Sequence, residues 1–97
     1  MQRATTARNE IGPLLDQLIF ELEASGRATQ RAYFCRVRKS LSGASDDLDL
    51  AESIKEISSC TALGFQFTDT ADVLVSRILD KVGELIREME GVDVPLH

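Results

Sequence analysis

The residues that could do chemistry are few and poorly placed for it. His97 is the one histidine and the last residue, so no Ser/His/Asp or Cys/His set can be built around it. Cys35 and Cys60 lie 25 positions apart with no C-x-x-C. A closed zinc site takes four ligands, and this chain has no convincing set of them. Without a secretory signal to support a disulfide, both cysteines read as small buried hydrophobes in a reducing, cytoplasmic setting. Asp47-Leu48-Asp49 has the first spacing of a calcium loop, but the loop's glycine and far-end glutamate are missing. After Ser45 as N-cap, Asp46, Asp47 and Asp49 fit the positive end of a helix instead. There is no Gly-rich phosphate cradle. A histidine phosphotransfer bundle needs an exposed mid-helix His, which residues 1–96 lack. An acyl carrier domain needs a serine at a helix start, and Ser45-Asp46-Asp47-Leu48 holds it out of register. The expectation is a non-enzymatic chain with no catalytic residue, metal or cofactor; a small enzyme or carrier is the second alternative.

Arginines are the other chemically informative group. Arg27, Arg31 and Arg38 fall at i, i+4 and i+11, one face of a helix, near Tyr33 and Phe34. Such a face can meet phosphates or an acidic protein surface. Residues 1–42 carry seven basic and four acidic side chains, and residues 43–97 carry four and twelve, for a net charge of −5. The acidic half would repel a polyanion unless it were turned away. Nucleic-acid binding through residues 27–39 is therefore the alternative, and a protein partner at Arg27, Arg31 and Arg38 the preferred reading. Ordinary solvated charge accounts for much of the pattern, since exposed ion pairs contribute only ~0–1 kcal/mol each.

These side chains must be positioned by helices, because four segments show a helical period and none a convincing strand alternation. Ile11, Leu14, Leu15, Leu18, Ile19 and Leu22 share one face, after Asn9 as N-cap and with Pro13 in the first turn; Ser25-Gly26 ends that helix. Phe34, Val37 and Leu41 form a narrower stripe, stopped by Ser42-Gly43. Leu48, Leu50, Ala51, Ile54, Ile57, Thr61 and Ala62 mark the third helix, terminated by Gly64, whose small last turn (Ser58, Ser59, Cys60) suits a close helix approach. Phe65 and Phe67 read as rings plugging the end of a bundle. Ala71, Val75, Ile78, Val82, Leu85 and Met89 repeat at spacings of 4, 3, 4, 3 and 4, a coiled-coil seam capped by Thr68 or Asp69.

With 97 residues, 43% hydrophobic and 28% charged, the chain is a single globular domain. No apolar run reaches the ~20 residues of a membrane helix, so no membrane partner is expected. The predicted fold is all-α, a small antiparallel four-helix bundle with helices at about 10–24, 29–41, 46–62 and 69–90. The ends, about 1–8 and 92–97, are expected to be loose, and the first and fourth helices to supply most of the core. A fourth helix ~33 Å long outruns a first helix of ~22 Å. A second copy of the chain is therefore expected to cover the apolar surplus at Val82, Leu85, Ile86 and Met89, giving a homodimer. Function is read as a protein–protein interaction module of adaptor, chaperone or inhibitor type.

Overall fold

The computed structural model describes residues 2–91, with side chains for residues 4–88. All regular structure among them is helical: α1 (Gln2–Glu10), α2 (Gly12–Ala24), α3 (Ala28–Ser42), α4 (Asp47–Ser58), a 3-10 turn (Ser59–Leu63) and α5 (Asp69–Gly91). The last four helices match the predicted ones to within a few residues, except that the third tightens into 3-10 after Ser58. No described helix is long and apolar enough to cross a membrane.

The N-terminal segment differs from expectation. Residues expected to be loose form α1, and its Ala4 and Ala7 are buried. The helical ladder runs on through the junction: the Ile11 amide donates to Ala7 at 2.8 Å and the Leu15 amide to Ile11 at 2.9 Å. Asn9 therefore lies inside a helix and caps nothing. Pro13 lacks an N–H and crowds the preceding turn, which bends the path there. Together α1 and α2 make one bent arm, so the described residues form four helical arms.

The boundaries follow local chemistry. Ser25 ends α2; the Gly26 amide bonds Glu23 at 3.2 Å and the Arg27 amide bonds Leu22 at 2.9 Å. That is a Schellman closure, and it requires Gly26 at φ +73°. Asp46, rather than Ser45, caps α4 by accepting from the Asp49 amide at 2.8 Å. The Asp49 carboxylate accepts in return from the Ser45 backbone amide. Thr68 caps α5 through the Ala71 amide.

The arms pack in the cyclic order α2, α3, α4, α5, with α5 returning to α2, and α1 touches all four. A thickness of 19 Å is about two helix diameters, as this arrangement requires. All four arms supply the core: Leu15, Leu18 and Leu22 from α2, Phe34, Val37 and Leu41 from α3, Leu50, Ile54 and Ile57 from α4, and the α5 seam from Ala71 to Leu85. The core is thus shared more evenly than expected. Leu48, predicted to be apolar-facing, is exposed. Small residues bring α3 and α4 into polar contact at Ser53, whose buried hydroxyl meets that of Ser40 at 2.9 Å, and Cys60 of the small last turn is buried in the core.

Each end of the ring is closed. At one end lies α1, where Arg8 donates to the Ala44 carbonyl and Glu10 pairs with Lys81. At the other lies a ring cluster: Tyr33 and Phe34 at 5.1 Å, Tyr33 and Phe65 at 5.7 Å, Phe65 and Phe67 at 6.0 Å. Phe34 is fully buried there and Leu48 is not. Phe34→Ala is expected to lower the unfolding free energy by about 3–5 kcal/mol, while Leu48→Ala stays within ~0.5 kcal/mol; urea unfolding of the two variants measures both.

Candidate functional site

The three predicted arginines do lie along α3, counting Arg27 as its N-cap, but each already has an acceptor. Arg38 is held across the α2–α3 interface. Its Nε donates to Asp16 Oδ1 at 2.8 Å, Nη2 to Oδ2 at 3.4 Å, and Nη1 to the Ser42 hydroxyl. Its guanidinium also lies over Gly12, so close that a Cβ there would meet it at 3.3 Å. Arg31 pairs with Glu23 on α2 at 3.7 Å. Arg27 donates to the Gln66 carbonyl at 3.3 Å. Arg36 pairs with Glu56 on α4 at 3.8 Å and covers the Tyr33 ring. The predicted basic binding face is thus largely a set of helix-to-helix ties, and Arg38 is a structural residue.

The predicted apolar interface is also altered. Val82 and Leu85 are 2% and 5% exposed, covered within one chain. Ile86 is half-buried against the core. The Met89 side chain and the tail from residue 92 lie outside the described residues. Val82 and Leu85 need no second copy to cover them.

The structure exposes a different surface. Two shallow depressions lie on the α2–α5 seam. Phe20, Gln17 and Glu21 of α2 with Thr70 and Leu74 of α5 line one. Pro13, Leu14 and Glu10 with Arg77, Asp80 and Glu84 line the other. Phe20 is 73% exposed and Val73 52%. Val73 stands between Thr70 and Arg77 on the same flank of α5, at the i+3 and i+4 spacings that bring helical neighbours together. Sequence reasoning missed both residues, although a signal existed. Phe20 lies off the Leu15–Leu18–Leu22 stripe and Val73 off the Ala71–Val75–Ile78 seam, so neither is needed for the core. Leu48 and Leu63 are the other large exposed apolar residues described.

Among the described residues no three His, Cys, Asp or Glu side chains come together as metal ligands. Both cysteines are free. Burial pushes the Cys60 thiol above its ordinary value. Tyr33 is raised too, first by burial and then by Cys60 and the Glu56 carboxylate, against the opposing pull of Arg36; its hydroxyl donates to the Glu56 backbone carbonyl. Compared with known proteins, the chain matches no protein family, and no curated protein or solved structure is significantly similar to it.

Two outcomes follow from this chemistry. Arg38→Ala is expected to lower stability by about 1–2 kcal/mol, because a bidentate pair and packing over Gly12 are lost together. Arg31→Ala, removing an exposed pair, is expected to change it by less than ~0.5 kcal/mol; denaturant midpoints separate the two. Cys60 and Tyr33 keep their protons in the folded state to higher pH than in the unfolded chain. Stability from them is complete below the ordinary thiol value and falls as pH rises through the raised folded values. Urea midpoints are therefore expected to drop as pH rises above the ordinary thiol range of about 8.5, and Cys60→Ala is expected to lessen the drop.

Proposed function

We propose that the chain is a non-enzymatic protein–protein interaction module whose contact surface is the α2–α5 seam around Phe20. The observation that carries this reading is the exposure of Phe20 and Val73 beside a groove, on a body whose core is already closed at both ends. Helix-in-groove recognition uses such a seam between two packed helices. An antiparallel course of α2 and α5 belongs to the same reading. It is supported by Glu10 meeting Lys81 at one end of the seam while Phe20 and Leu74 line the other. The two free thiols go with a reducing, cytoplasmic setting.

A protein partner at this seam replaces the partner expected at Arg27, Arg31 and Arg38, because those side chains already tie helices together or bond a backbone carbonyl. The same ties weaken the nucleic-acid alternative. The homodimer is retained as one form the interaction can take, through the seam rather than through Val82 and Leu85.

Cross-linking in the native host tests the reading. A photoreactive amino acid in place of Phe20 is expected to give one dominant adduct. The same group in place of exposed Glu52 on α4 is expected to give none. An adduct of the chain with itself identifies a second copy as the partner. Identical adduct patterns at the two positions, or none at position 20, overturn the proposal.

A further inference from the structure

Resting on that reading, we infer that the α2–α5 groove seats a basic amphipathic helix supplied by another protein. The groove has an apolar end, at Phe20, Val73 and Leu74, and a charged end, at Asp80, Lys81 and Glu84. From Glu10 at the end of α1 to Glu21 on α2 it runs roughly 16 Å, about three helical turns. A visiting helix of three to four turns matches that length, with apolar residues at i, i+3 or i+4 on the Phe20 end.

Charge selects the visitor. Five carboxylates and two cations line the two depressions, and Asp69, one turn before Val73 on the same flank of α5, extends the acidic rim. The cation Lys81 pairs with Glu10. Among the described residues Glu21, Asp69, Asp80 and Glu84 form no ion pair, and Arg77 is the one cation lining the groove in the same condition. Lysines and arginines flanking an apolar stripe complement this rim. A second copy fits less well: a symmetric one sets the same patch against itself, so this carboxylate rim would face its own copy.

The test uses a labelled peptide of 14 residues with Leu at i, i+3, i+4 and i+7 and Lys elsewhere, titrated against the full chain by fluorescence anisotropy. Two further peptides are compared: one with Glu in place of every Lys, and one of the Lys composition scrambled to remove the stripe. The amphipathic Lys peptide is expected to bind at least about tenfold more tightly than either, and to weaken severalfold between about 50 and 300 mM salt. The Phe20→Ser/Val73→Ser variant, checked for an unchanged helical spectrum, is expected to lose about tenfold. Glu21→Lys/Asp80→Lys is expected to weaken the Lys peptide and strengthen the Glu peptide. Equal binding of the scrambled peptide, a preference for the Glu peptide, or indifference to Phe20→Ser/Val73→Ser overturns the inference. A specific host adduct at position 20 with no Lys-peptide binding leaves the interaction reading standing and removes only the basic helix; no adduct removes both.

Discussion

A long amphipathic helix must be covered over its whole length, and most of this architecture follows from that constraint. α5 spans 23 residues, roughly 34 Å at 1.5 Å per residue, with a seam buried from Ala71 to Leu85. α2 alone has 13 residues, about 20 Å, and leaves the far end of the seam bare. α1 supplies the missing cover. Residues 2–24 run as one helical path of the same length as α5, bent at Pro13 so that its first turns close over the end of the ring. The ties made by Arg8 and Glu10 fall where that bend brings the arm against the α3–α4 connector and α5.

The opposite end is closed by different means. There α2 and α3 turn at Gly26 and the chain re-enters α5 through Phe65-Gln66-Phe67, so two connectors must be sealed at once. Four of the five aromatic rings gather there, three of their contacts edge to face and the Phe34–Phe67 one tilted, an arrangement that fills irregular volume while favouring ring quadrupoles. Polar backbone in the connector is satisfied from α3, where the buried amide of Gln30 and the guanidinium of Arg27 both donate to the Gln66 carbonyl. The fifth ring, Phe20, takes no part.

How much of this was legible in the sequence depended on whether a signal was local. The stripes of α2 and α5, the stops at Gly26 and Gly64 and the plugging role of Phe65 and Phe67 could be read directly, because each is a spacing or a turn chemistry. α1 was not read, since QRATTARNE is polar and Pro13 resembles a helix start. Yet Ala4, Ala7, Ile11, Leu15, Leu18 and Leu22 continue one face at spacings of 3, 4, 4, 3 and 4, with alanines standing where larger residues would collide at a close approach. Missing α1 produced the apparent length mismatch, and with it the expected exposure of Val82 and Leu85. A helix pair is needed before a stripe can be judged uncovered.

Charge was the least legible property, because a linear map records sign but not partner. The cation-rich α3 suggested a basic surface, but α3 lies between α2 and α4, whose Asp16, Glu23 and Glu56 meet Arg38, Arg31 and Arg36. Those pairings engage the positive charge of α3, whereas Glu21, Asp80 and Glu84 on the flank where α2 meets α5 have no such partner. That flank also carries the one ring the core does not use. The core and its two closures are complete without Phe20 and Val73, and the groove they border owes its exposure to no demand of packing.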